Sequence, residues 1–160
     1  IIMGKKSKIP NQSLPNNPKG NKILSIDIPV NEEKRAVIGI TYLNLASNNY
    51  NLKHLAEVHN KQRGNKDVFK DLECFIGNVN KEKMTIQKVI EIYHSRYHLK
   101  NNDETIREIV KQLKEKGIDA TDLVHLHCKA NGKGKFVLHG FILDNVFEIV
   151  LLDPEHELHG

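Results

Sequence analysis

From Leu123 onward apolar and polar residues alternate with a period of two, the mark of half-buried strands. LVHLHCK (residues 123–129), FVLHGFIL (136–143) and VFEIVLL (146–152) read as three strands. Asp144 and Asn145 join the last two as a two-residue turn, because both residue types tolerate the positive φ that such turns need. The Gly/Lys/Asn-rich stretch 130–135 joins the first two. Further upstream Leu24, Ile26, Ile28 and Val30 alternate, with Pro29 confining that strand to an edge, and residues 34–45 are β-branched and aromatic enough for another. Between these blocks the period becomes helical. Residues 51–60 space Leu52, Leu55, Ala56 and His59 along one side, and residues 67–76 align Val68, Phe69, Leu72, Phe75 and Ile76, with Gly77 as a natural stop. Thr85 caps a helix with Ile86, Val89, Ile90 and Tyr93 inward. Asn102 caps another with Ile106, Ile109, Val110 and Leu113 inward and Gly117 closing it. Strands, then helices, then three hairpin-linked strands predict an α+β fold, with helices packed on one face of a mostly antiparallel sheet.

Register turns this pattern into a prediction about faces. With Asp144 and Asn145 as the turn, Phe141 falls opposite Glu148 and His139 opposite Val150, so His139 and Glu148 lie diagonally on one side. Phe136, Leu138, Ile142, Phe147, Ile149 and Leu151 take the other, apolar side. Pairing Cys128 with Phe136 adds Val124, Leu126 and Cys128 to the apolar face and sends His125 and His127 to the side of His139. The expected sheet therefore has one core face and one exposed face carrying three histidines and a glutamate.

At 160 residues the chain is long enough for a single domain with a real core, here residues 21–160, preceded by a flexible basic arm over residues 1–20. Ile1 and Ile2 precede a Met3 that reads as the natural start. The net charge of +4 invites a nucleic-acid partner, but the excess lies in the leader, at Lys5, Lys6, Lys8, Lys19 and Lys22 against Asp27. From Phe136 onward there is no Lys or Arg at all. No apolar run of membrane-spanning length and no signal-peptide pattern occur, so a cytoplasmic protein without a membrane partner is expected. Cys74 and Cys128 sit far apart in apolar settings and read as two buried thiols of a reducing compartment. Walker, Rossmann, nucleophile-elbow, HExxH and zinc-ribbon spacings are absent, which argues against nucleotide-dependent and conventional hydrolase chemistry.

What remains is the histidine face. His125, His127, His139 and Glu148 are candidates for proton transfer without a cofactor: imidazole titrates near neutrality, and a carboxylate beside it orients the ring and raises its basicity. Such a set suits RNA cleavage, where a base takes the ribose 2′-hydroxyl proton and an acid protonates the leaving oxygen. The same residues also fit two plainer accounts, as polar groups covered by the arm or a helix, or as ligands of a metal such as zinc, to which the tail DPEHELH (153–159) adds donor types. A solvated C-terminus is the simpler account of that tail. Tyr93, His94, Arg96, Tyr97 and His98 offer rings and a cation for single-stranded RNA, or simply extend a helix core stripe with exposed neighbours.

The ending GKFVLHGFILDNVFEIVLLDPEHELH (134–159) resembles small bacterial proteins of mobile elements and toxin–antitoxin-like loci, and the order of strand, helices and three closing strands resembles the RelE-like mRNA interferase toxins. That resemblance implies a toxin-like RNA endonuclease, with RNA as substrate and an antitoxin protein as partner. It carries catalytic roles to His139, Glu148, and His156 or His159. Arginines that hold the scissile phosphate in such toxins are missing from the closing strands here, which sets ribosome-dependent cleavage in doubt and leaves Lys129, Lys133 and Lys135, with Arg96 and Tyr97, as the RNA-binding candidates. The alternatives are a non-catalytic protein- or nucleic-acid-binding module of mobile-element origin and a metal-binding hydrolase.

Overall fold

A computed structural model describes residues 22–23, 34–45, 49–61, 67–94, 103–120 and 123–158. The basic arm, the strand expected over 24–30, and Arg96, Tyr97, His98 and His159 lie outside the described residues. In chain order the elements are β1 (Lys22–Ile23), β2 (Val37–Gly39), α1 (Leu52–Lys61), α2 (Val68–Lys81), α3 (Ile86–Tyr93), α4 (Glu104–Glu115), β3 (Asp119–Ala120), β4 (Val124–Lys129), β5 (Lys133–Leu143) and β6 (Val146–Asp153). The fold is α+β. A four-stranded sheet runs in the order β2-β6-β5-β4, antiparallel except for the β2–β6 pair, and β1 and β3 form a separate parallel pair.

Local chemistry explains most boundaries. The side chains of Asp67 and Thr85 accept the backbone N–H groups of Lys70 and Lys88, capping α2 and α3. Asp103, rather than Asn102, caps α4 through Thr105 N. Gly117, at φ +80°, closes that helix as expected. Gly77 does not stop α2, which continues to Lys81 because Val79 is needed in the core. The single strand expected over 34–45 is shorter, with a 3-10 turn at Leu43–Leu45 after β2. Phe69 is 39% exposed and lies against the His59 ring, so the buried stripe of α2 is Val68, Phe75 and Val79.

Both faces of the main sheet carry core. One cluster gathers Leu126, Cys128, Phe136, Leu138, Ile142, Phe147, Ile149 and Leu152 with apolar residues of α1, α2 and α3. The other joins Phe141, Val150 and Leu151 to Ile106, Ile109 and Leu113 of α4, and to Leu123 and Leu158. Each fully buried Leu, Ile or Phe contributes about 1.5–3 kcal/mol, so α4 holds the second face shut rather than leaving it to solvent. The expectation of an exposed second face is corrected on this point.

The β5–β6 hairpin forms where expected, with Asp144 at φ +53° and Phe141 opposite Glu148. Register then slips by one. Gly140 pairs with Ile149 but His139 pairs with Leu151, not Val150, so β6 bulges at Val150. The bulge sends Leu151 to the second cluster instead of the first and turns Asp153 toward the side of His139. The bulge positions the site. The β4–β5 register is the expected one, with His127 opposite Val137, although the connection is a tight turn that already pairs Lys129 with Lys133.

Candidate functional site

Four imidazoles and one carboxylate meet on the second face. The cross-strand pair His125 and His139 come from β4 and β5, with ring centroids 5.2 Å apart. His127 lies two residues along β4, its ring 4.9 Å from that of His125. His156, in the turn after β6, places its ring 5.1 Å from His125 and 5.5 Å from His127, edge-on to both. His156 holds a left-handed φ of +57°, unusual for a side-chain-bearing residue, and that bend brings the tail back over β4. Asp153, the last residue of β6, reaches His139, with Oδ2 3.6 Å from Nε2.

Hydrogen bonds fix much of the proton arrangement. The Gly134 carbonyl only accepts, so His127 donates through Nδ1 at 3.1 Å and keeps a lone pair on Nε2. His125 Nε2, 3.1 Å from that atom, must then be the donor, which leaves His125 Nδ1 as a lone pair; that atom is buried and without a hydrogen-bond partner. Neither His139 nitrogen makes a hydrogen bond within ordinary limits. Burial alone would push the Asp153 carboxyl up, but His139 and the backbone N–H groups of Glu157 and Leu158 outweigh it and hold its pKa below the ordinary value. Burial lowers the pKa of His125 to about 3, with the neighbouring His139, His127, His156 and His94 adding to it. His127 is also lowered, chiefly by burial and partly opposed by its bond to Gly134. His125 and His127 are therefore neutral at pH 7; the His127 Nε2 lone pair accepts from His125, and the lone pair left over is that of His125 Nδ1.

The sequence-derived candidates divide. His125, His127 and His139 do share one face and touch one another, but they are buried, at 4%, 5% and 0% exposure, where open access was expected. Glu148 is on the same side of β6 but binds elsewhere: its carboxylate accepts from the backbone N–H and the hydroxyl of Thr41 at 3.0 and 3.2 Å. The carboxylate that meets His139 is Asp153, read from the sequence only as part of the tail; regular alternation along β6 would turn it to the other side, and the bulge brings it round. A signal was present in the unbroken apolar run Ile149-Val150-Leu151-Leu152, too continuous for a regular half-buried strand. The tail is not a solvated end either, since Asp153 and Leu158 are 0% and 2% exposed. Lys133 and Lys135 stand exposed on the β4–β5 turn, whose Gly134 holds His127, while Lys129 reaches Asp71 of α2 at 3.4 Å. Cys128 is buried as expected, Cys74 exposed.

As the rings lie, no group of three or more His, Cys, Asp or Glu side chains among the described residues is set to hold a metal ion. No helix among them is long and apolar enough to cross a membrane. Comparison with family models, with curated proteins and with solved structures returns no match.

Proposed function

We propose that this chain is a toxin-like endonuclease that cuts RNA at the histidine centre, with His139 and Asp153 as the proton-transferring pair. The observation that carries this reading is the pairing of a buried imidazole with an ionised carboxylate beside two neutral, hydrogen-bonded histidines. The Asp153 carboxylate is 3.6 Å from His139 Nε2, and on closing to hydrogen-bond distance it would fix the tautomer and leave the opposite nitrogen to take or return a proton, the division of labour a phosphodiester cleavage needs. Lys133 and Lys135 flank Gly134, the residue that anchors His127, so a phosphate held by them would lie next to the centre. In this reading Asp153 takes the part first given to Glu148. The His156 turn lies over His125 and His127, beside the ring of His139 that faces His125.

The test is cleavage of a defined single-stranded RNA by the purified full chain. Asp153→Asn should lower the rate by about 10²- to 10⁴-fold, the usual worth of a positioned acid or base. His139→Ala should abolish both cleavage and any growth arrest on expression. A wild-type protein that leaves RNA intact under all conditions rejects the proposal.

The full burial of His139 favours one second reading, a non-catalytic binding module in which the cluster is structural. That module would retain RNA or protein binding in the His139→Ala protein and would lose it when residues 1–22 are deleted.

A further inference from the structure

We propose that His127 is a positioning residue for RNA: by holding the Gly134 carbonyl it fixes the β4–β5 turn so that Lys133 and Lys135 together meet the phosphodiester backbone. The inference takes its ligand from the cleavage reading above and gives His127 a part that proton transfer does not require. His127 is 5% exposed whereas Lys133, Gly134 and Lys135 are exposed, so this imidazole is where the buried cluster reaches the outer turn. Both of its nitrogens are used. Nδ1 donates to the Gly134 carbonyl at 3.1 Å and Nε2 accepts from His125 at 3.1 Å. A buried ring pinned at both ends does not follow the turn; the turn follows the ring.

The turn needs such an anchor. Asn131, Gly132 and Gly134 hold left-handed φ values of +61°, +65° and +81°, and since glycine visits many other conformations at no steric cost, local preference does not select this one. Gly134 is fitted from two sides: His127 holds its carbonyl, and a Cβ there would stand 3.2 Å from Cδ of Lys129. Gly132 lies along the same ring, where a Cβ would be 3.9 Å from Cδ2 of His127. Charge then indicates the ligand. Lys129 and Lys133 are direct cross-strand partners, and like charges so placed destabilise a sheet. Lys129 is drawn to Asp71 at 3.4 Å. Lys133 and Lys135 enter no ion pair among the described residues, and no Lys or Arg follows them in the chain. Two uncompensated cations on a turn whose shape is imposed from the buried side suit a ligand with a run of negative charges, which in single-stranded RNA is the backbone itself.

The experiment uses the full chain and a fluorescent single-stranded RNA with methylated 2′-hydroxyls, which can bind but has no 2′-hydroxyl proton to give up, and reads affinity by anisotropy. His127→Leu should weaken binding about tenfold, the cost of reordering roughly one residue of backbone. His127→Asn, whose amide N–H stands where the Nδ1–H of histidine does, should bind within about twofold of wild type. Replacing both Lys133 and Lys135 by Ala should weaken binding and lower the slope of log K against log salt by about 1.4, the worth of two phosphate contacts on a single strand. In that background His127→Leu should add no further loss, which separates positioning from a general loss of stability. No binding by wild type, equal binding by wild type and the double lysine variant, or fully additive losses overturn the inference. If His127→Leu does not fold, Gly134→Ala decides: it strains the turn at its left-handed φ and leaves the imidazole in the chain, and binding equal to wild type overturns the inference. Methylated RNA bound in the expected pattern while native RNA stays intact rejects the cleavage reading and leaves this one standing, whereas cleavage of native RNA with the same KM in wild type, His127→Leu and the double lysine variant does the reverse.

Discussion

His125 makes a quantitative prediction about acid. Its folded pKa of about 3 lies far below the ordinary 6.5, because burial and the facing rings of His127 on β4, His139 on β5, His156 in the tail turn and His94 at the end of α3 all disfavour the imidazolium. A base whose folded pKa is depressed contributes stability that is fully present above the unfolded pKa and is lost as pH falls below it, since the unfolded chain takes up a proton that the folded chain refuses. At pH 7 that uptake is slight. At pH 5 the unfolded side chain is almost fully protonated and the folded one is not, which at about 1.4 kcal/mol per pKa unit removes about 2 kcal/mol. His127, lowered in the same direction, adds to the loss. Urea unfolding of metal-free protein, in EDTA, at pH 7 and pH 5 measures this directly. Because His127 contributes in the same direction, the decisive quantity is the difference between wild type and His125→Gln. The substituted chain should lose about 2 kcal/mol less over that interval. Losses equal to within about 0.5 kcal/mol, at the edge of what linear extrapolation resolves, would refute the claim that His125 is held neutral by burial.

Three further perturbations test the frame around the cluster. Asp153→Asn removes the charge that accepts from Glu157 and Leu158 and faces His139, and should cost about 2–4 kcal/mol in urea while the amides of Glu157 and Leu158 lose protection from hydrogen exchange. Gly140→Ala should be destabilising by about 3 kcal/mol or prevent folding, since a Cβ there would run into the carbonyl oxygen of Glu148 and the ring of Phe147; a Tm within a degree of wild type would contradict the hairpin packing. Thr85→Ala should cost about 1 kcal/mol by uncapping α3, with Thr85→Ser recovering most of it in thermal melts.

The parts of the fold that alternation and capping specify were legible in the sequence, and the parts that depend on one extra residue were not. Hairpin turn, β4–β5 register and the inward stripe of α3 all follow from local periods, and each is found. The unbroken run Ile149, Val150, Leu151 and Leu152 signals that both faces are buried but not where the strand bulges, because each of these residues is equally content on either face. Whether the second face is buried depends in turn on α4 crossing to it, a tertiary choice that the helix's own apolar stripe does not encode. The identity of the carboxylate partner follows from that choice. With a solvent-facing second side, regular pairing would serve, and Glu148 would be the natural companion of His139. With α4 in place, the bulge turns Val150 and Leu151 together into the second core, and the same slip carries Asp153 under the histidines while Thr41 takes Glu148. The histidines are legible as a face because they belong to strands that keep their register. Their partner and their burial are not, because both are consequences of how the far side of the sheet is closed.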